Sequence, residues 1–191
     1  RSTQGVSSAA SDVYKRQITS PAFAACKIDQ QQYGVSSQTI INKLEIFNSF
    51  EPIPGFYKEV RTMFEEVCPS LEKPLARDTT LTYHFIQDQL IMIELVRTSS
   101  NDLLLFEWGR ENFNIQEKRK INEEQQFIQV EQSDHIIQLL VRVLPDTVFQ
   151  NIALVSTQHN DLFELLYEKE ESIDWDTLED LDNEDDISEE N

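Results

Sequence analysis

Thr79-Thr80-Leu81-Thr82-Tyr83-His84-Phe85-Ile86-Gln87-Asp88-Gln89-Leu90-Ile91-Met92-Ile93-Glu94-Leu95-Val96 is the stretch whose reading decides the fold. Its first eight residues alternate. Leu81, Tyr83 and Phe85 share one side, and Thr80, Thr82 and His84 share the other, the two-residue period of a half-buried strand. Gln87-Asp88-Gln89 then breaks the pattern as a turn. Leu90 to Val96 is a dense run of Ile, Leu and Val, the composition of a buried strand. Two strands so close in sequence pair antiparallel through a hairpin. Thr98-Ser-Ser-Asn-Asp102 reads as a loop, and Leu103–Trp108 as a third strand of the meander, ended by Gly109.

Upstream, the period changes to that of a helix. Ser36 or Ser37 is a candidate N-cap, and Ile40, Ile41, Leu44 and Phe47 recur at helical spacing, which predicts a helix over 38–49. Pro52-Ile-Pro54-Gly55 ends it. Phe56, Val60, Met63, Phe64 and Val67 then predict a second helix over 56–68, with Lys58, Glu59, Arg61, Glu65 and Glu66 on its wet side. Downstream, residues 110–125 are polar, and Phe127, Ile128 and Val130 make a short strand. Ser133 caps a predicted helix carrying Ile136, Ile137, Leu139, Leu140 and Val143. Thr147–Val155 reads as a strand, and Asp161-x-x-Glu164 opens a last helix by a capping-box pattern. The expected fold is therefore α+β. Two N-terminal helices pack on an antiparallel sheet of four or five strands, one or two helices follow, and a disordered acidic tail ends the chain.

Charge layout sets the boundary of that tail. The chain has 191 residues, 16 Lys and Arg against 35 Asp and Glu, and a formal net charge of −19. Residues 168–191 hold 13 of those acids and one base, Lys169. Such a segment repels itself and buries little, so 168–191 is expected to be disordered and 36–167 to be the α+β domain. The acidic balance excludes binding to a nucleic-acid backbone, which needs a basic footprint. No run of apolar residues is long enough to span a bilayer.

The N-terminal residues carry separate expectations. Residues 6–17, Val-Ser-Ser-Ala-Ala-Ser-Asp-Val-Tyr-Lys-Arg-Gln, resemble a translated sequencing-adaptor read-through, so 1–17 is read as a non-native segment. Residues 18–35 are read as a signal-peptide remnant and linker, because Ala22-Phe-Ala24 has the small-x-small pattern that signal peptidase accepts. Phe23-Ala-Ala-Cys26 also weakly resembles a bacterial lipobox. The two cysteines, Cys26 and Cys68, suit an oxidising compartment, where their pairing would close a loop worth roughly 3–4 kcal/mol. In a reducing compartment they are two small apolar residues. The expected location is periplasmic or secreted, with the cytoplasm as the alternative.

Catalytic motifs fail in turn. Glycine occurs at 5, 34, 55 and 109 alone, which excludes phosphate-cradling loops. Glu107 and Glu111 flank Trp108, but on a strand they would stand about 13 Å apart, too far for a glycosidase pair. His84, His135 and His159 could each act as a base if the fold brought a carboxylate or nucleophile to it, whereas a surface or satisfied histidine is the commoner case. Cys68 lies at a helix end before Pro69, not at a helix N-terminus that would activate a thiol. No catalytic residue, cofactor or metal is expected from the sequence. Trp175, Leu178 and Leu181 form the one local feature of interest. At three-residue spacing in an acidic segment, they make an apolar stripe that would dock onto a partner protein or back onto this chain.

These readings lead to a non-enzymatic binding or interaction domain exported by a bacterium. The alternative is a cytosolic acidic interaction protein; in size, acidity and helix–strand order the chain resembles the small acidic α+β chaperones of secretion systems. A second alternative is a small hydrolase without a local motif, which would require His84 or His135 to converge with carboxylates in a pocket.

Overall fold

A computed structural model describes residues 28, 32–46, 48–117 and 124–172. Their centre is a seven-stranded antiparallel sheet in the order β1-β2-β3-β4-β7-β6-β5. The strands are β1 (Ser49–Ile53), β2 (Tyr57–Met63), β3 (Thr79–Ile86), β4 (Gln89–Ser99), β5 (Gln125–Glu131), β6 (His135–Val143) and β7 (Val148–Ser156). Five short helices accompany them among the described residues: α1 (Ser37–Leu44), α2 (Phe64–Val67), α3 (Lys73–Arg77), α4 (Leu104–Asn112) and α5 (Asn160–Ser172).

The β3–β4 hairpin is as the sequence reads. Leu81 faces Leu95 and Tyr83 faces Ile93 across the ladder, and all four are buried. Gln87 and Asp88 both take positive φ, 48° and 59°, the conformation a two-residue hairpin loop requires. Ser36 caps α1, its Oγ accepting from the Thr39 N–H at 3.4 Å.

The expectation of two N-terminal helices on a four- or five-stranded sheet is overturned in four places. The helix predicted over 38–49 ends at Leu44, and 49–53, read as its end and its terminator, form β1. Residues 57–63 form β2 between β1 and β3, and only 64–67 are helical. Glu59 and Arg61 alternate with Val60 and Thr62; they pair with each other along the strand, and Glu59 meets His84 across the ladder on the second sheet face. Side-chain packing outweighs a helical pattern here. Residues 135–143 form β6, not a helix. Ile137, Leu139 and Val141 are buried on one face, while Ile136 and Leu140 are half-buried on the other. A central strand that is apolar on both faces loses its alternation and imitates helical spacing. Ser133 and Asp134 occupy the β5–β6 turn, closed by Gln132 N–H donating to His135 C=O at 2.9 Å. The predicted third strand of the meander is α4, started by Asp102 Oδ1 accepting from the Leu104 N–H at 3.2 Å.

The helices α1–α4 cover one sheet face and close the main core. Phe64, Leu75, Leu105, Phe106 and Trp108 pack there onto Val60, Leu81, Tyr83, Ile93, Leu139 and Ile152. Trp108 stands edge-on to Phe64 and to Phe113, with ring centroids 5.2 and 5.9 Å away. Arg97, 3% exposed, ties this layer to the sheet. It donates to Pro74 C=O at 2.7 Å and to Asp102 at 2.9 Å, and it pairs with Asp78 at 3.3 Å. Among the described residues the second face carries only α5. Leu162 of α5 buries itself with Ile86 and Ile91, and Tyr57, Met92, Phe163 and Leu166 pack around them.

Candidate functional site

The second sheet face holds a chain of polar side chains beside α5. Antiparallel register creates it. Glu59 lies opposite His84, Arg61 opposite Thr82, and Thr82 opposite Glu94. The period of two then brings Tyr57, Glu59 and Arg61 of β2, His84 of β3 and Glu94 of β4 onto one face.

The contacts run in sequence. Arg61 Nε donates to Glu59 Oε2 at 2.7 Å. Tyr57 Oη donates to Glu59 Oε1 at 2.9 Å and lies 2.6 Å from His84 Nδ1. His84 Nε2 lies 3.3 Å from Glu94 Oε2, at ion-pair distance but too oblique for a linear hydrogen bond. Asn151 Nδ2 of β7 donates to Glu94 Oε1 at 2.6 Å. The Tyr57 and His84 rings are stacked at 6.0 Å. His84 is 5% exposed and Glu59 is buried.

Electrostatics sort these groups. The His84 contact first, then Asn151 and Arg61, hold the Glu94 carboxyl below the usual carboxylate range against the opposing effect of burial. Burial, reinforced by the charge and hydrogen bond of Glu59, pushes the Tyr57 phenol far above its ordinary value. Tyr57 therefore stays a phenol and Glu94 a carboxylate.

A histidine between two carboxylates is what the hydrolase reading requires in part. That reading also requires a pocket at His84. Two open cavities adjoin β2, of about 660 and 310 Å³. The larger is bordered by Arg61, Thr62, Glu45 and Glu66, the smaller by Tyr57, Lys58, Glu51 and Asp88, and His84 lines neither. Among the described residues no three His, Cys, Asp or Glu side chains are grouped to hold a metal ion.

The other residues singled out from the sequence are scattered. His135 Nδ1 lies 2.8 Å from Asp134 Oδ1, and its ring is buried near Tyr33. His159 Nδ1 lies 2.8 Å from Ser156 Oγ, but Ser156 is fully buried and out of reach of a substrate. Glu107 and Glu111 fall on α4, where Glu107 pairs with Arg110 at 2.5 Å. Cys68 is buried at the end of α2, and no described cysteine is a free thiol. Cys26, Trp175, Leu178 and Leu181 lie outside the described residues. The acidic tail expected over 168–191 overlaps α5 as far as Ser172, and the rest lies outside them too.

Sequence reasoning missed Tyr57, Glu59, Arg61 and Glu94 as partners of His84. Their signal was Tyr57-x-Glu59-x-Arg61, a two-residue spacing concealed by assigning the segment to a helix. Also unforeseen was a sheet edge, β5, unpaired on its outer side among the described residues. The Val143 N–H donates to Glu124 C=O at 2.7 Å, and Gln132 N–H to His135 C=O. In antiparallel register the even positions of β5 therefore bond to β6. The N–H and C=O groups of Gln125, Phe127, Gln129 and Glu131 point away from it. Phe127, on this edge, is 54% exposed.

The site and fold define an α+β protein whose single antiparallel sheet carries, among the described residues, four helices on one face and α5 on the other. Comparison with family models, with curated proteins and with solved structures finds no match. No described helix is long and apolar enough to cross a membrane.

Proposed function

We propose that this chain is a binding domain without catalytic chemistry of its own, and that it takes an extended segment of a partner protein along the free edge of β5. The observation that carries this reading is the edge itself. Among the described residues β5 pairs with β6 alone, over seven residues without a register break. Four outward N–H and C=O pairs are the donor set of strand addition. The side chains beside them, Phe127 and Gln129, with Leu140 and Gln138 on β6, offer apolar and amide contacts with little charge. With a net charge of −19, the chain disfavours an acidic segment and favours a neutral or basic one. Trp175, Leu178 and Leu181 are a second candidate docking segment on the partner-binding reading of the tail.

Gln129→Pro tests the edge. Its N–H points outward, so the proline leaves the β5–β6 ladder intact while blocking addition of a strand. Amide shifts along Gln125–Glu131 on titration with extended, basic-apolar peptides are expected in the wild type and lost in Gln129→Pro. Outward amides of Phe127 and Gln129 that are already protected in the isolated protein would sink the reading.

Export with a Cys26–Cys68 bridge remains part of the proposal, supported by the buried Cys68 and the lack of a free thiol among the described residues. The cytosolic, chaperone-like alternative uses the same surface with both thiols reduced. Intact mass with and without reductant separates the two: a difference of about two hydrogens favours export, and none favours the cytosol.

A further inference from the structure

We propose that the His84 chain is a proton-operated latch: one additional proton, held at the imidazole, locks β2 to β3 and β4, and its loss loosens the seat of α5.

The inference starts from counting protons. Three contacts lie in a row, Glu59 to Tyr57, Tyr57 to His84, and His84 to Glu94, at 2.9, 2.6 and 3.3 Å. The first two are attractive only if a hydrogen lies between their atoms; the third, too oblique for a linear hydrogen bond, is attractive as an ion pair only if the ring is charged. A phenol and a neutral imidazole bring two hydrogens, enough for the first two contacts but leaving the third without its charge. If Tyr57 donates to Glu59, His84 Nδ1 must carry the hydrogen it donates to Tyr57 Oη. The bare Nε2 lone pair of a neutral ring would then face the Glu94 carboxylate. If instead Nε2 carries the hydrogen, Tyr57 must donate to Nδ1, and its oxygen faces a Glu59 oxygen with nothing between them. Neither neutral tautomer satisfies the row, and an imidazolium satisfies all of it.

Charge gives the same answer independently. Glu59, Glu94 and Arg61 together carry one net negative charge beside the buried ring, with Glu59 buried, Glu94 part-buried and Arg61 half-exposed. An imidazolium brings the patch to neutrality, and burying an uncompensated charge is costly. The charged and titratable groups whose contacts reach His84 are in this set. Tyr57, Glu59 and Arg61 come from β2 and Glu94 from β4, while Thr82 and Ile86 beside it on β3 are uncharged. β7 contributes the amide of Asn151, and no described residue of α5 forms an ion pair with His84. Tyr57 does not ionise in place of the ring, and Glu94 does not take up the proton, for the reasons given above.

Tyr57 transmits the state of the ring. Its hydroxyl belongs to the polar row, and its ring packs against the cluster that seats α5 through Leu162, Phe163 and Leu166. Without the proton one contact of Tyr57 or His84 turns repulsive, and the side chain on which α5 rests is freed.

The test uses the full chain. Nitrogen NMR of the imidazoles reads which ring nitrogens are protonated, and hydrogen-exchange protection factors for Asp161–Tyr167 are followed from about pH 5 to 8, where histidine chemistry operates. Both nitrogens of His84 are expected to be protonated at the acid end. Protection of α5 is expected to fall at least severalfold as the ring loses one proton, with the sheet core unaffected. In Glu94→Gln the pH dependence of α5 protection is expected to flatten, and His84→Gln gives the same reading by a second route should that variant fold poorly. A His84 ring with one proton throughout the folded protein would overturn the proposal. So would α5 protection that does not follow the His84 titration.

Discussion

Gly109 offers the sharpest test of how the helical layer meets the sheet. A Cβ at this position would lie 2.4 Å from Ile152 Cδ1 and 3.4 Å from Leu139 Cδ2. Both neighbours are fully buried, so Ile152 can yield only by leaving its rotamer or by pushing α4 off β7. Overpacking of this kind costs about 1–3 kcal/mol. Alanine in a helix interior returns about 1 kcal/mol over glycine. Gly109→Ala should therefore lose about 1 kcal/mol net. Ile152→Val deletes the clashing methyl group and by itself costs about 1 kcal/mol. In the double variant the overpacking is gone and the helix gain remains. Its stability should then equal or exceed that of Ile152→Val, a coupling of more than about 1 kcal/mol. Urea unfolding of the four proteins at one pH, with unchanged slopes, gives the four free energies. Losses that simply add, to within about 0.5 kcal/mol, would refute the claim that the bare Gly109 backbone sets the distance between α4 and the sheet.

Two further outcomes follow from the buried charges. Arg97→Met should destabilise by about 2–3 kcal/mol, since three charge-assisted bonds are lost while Asp78 and Asp102 keep some access to water; a change under about 0.5 kcal/mol in urea would show that Arg97 does not hold α3 to β4. The Arg97 bond, opposed by burial, and the Leu104 N–H hold the Asp102 carboxyl below its usual range, as the His84 contact holds Glu94. A carboxyl depressed in the folded state adds stability that is present above its unfolded value of about 4 and lost as pH falls through the folded one. The deficit of Asp102→Asn against the wild type should accordingly shrink on acidification below about pH 4, and a deficit constant from neutral pH to about pH 2 would contradict the assignment.

β3 could be read from the sequence because its apolar residues alternate with polar ones, although both of its faces are buried. Leu81, Tyr83 and Phe85 alternate cleanly with Thr80, Thr82 and His84, so β3 announced itself and placed His84 on the correct side. β6 gave the opposite result. With Ile136 and Leu140 on one face and Ile137, Leu139 and Val141 on the other, its apolar residues fall at helical intervals as readily as at alternate ones. β2 failed for a different reason. Glu59 and Arg61 look like the wet side of a helix because a sequence cannot show that they will pair along one strand and that Glu59 will meet His84 across the ladder. The polar row was hidden by the same mistake, since three of its members lie on β2. Gly109 was read as the end of a strand. It is inside α4, and the cause is the tertiary approach of Ile152, which no local pattern encodes.

The two edges of the sheet bear on the binding reading. An unpaired strand is a standing invitation to another chain, and proteins blunt such edges by bulges, proline or charge. β1 has all three devices. Its register breaks between Phe50 and Ile53, Pro52 removes a donor, and Glu51 pairs with Lys58 at 3.5 Å. Phe50, 57% exposed, is covered on one side by the Arg61 guanidinium 5.8 Å from its ring centre. β5 has none of them. It contains no proline and no lysine, its register with β6 is unbroken, and its single charge, Glu131, stands at its end. If both edges were merely tolerated, they should be alike. Protection of one and openness of the other, within one sheet of a strongly acidic chain, is the asymmetry expected when an edge is kept for a partner. It also states which edge must be tested. Lys or Pro placed on β1 should leave binding unchanged, whereas Gln129→Pro on β5 should abolish it, and the reverse pattern would transfer the interface to the other side of the molecule.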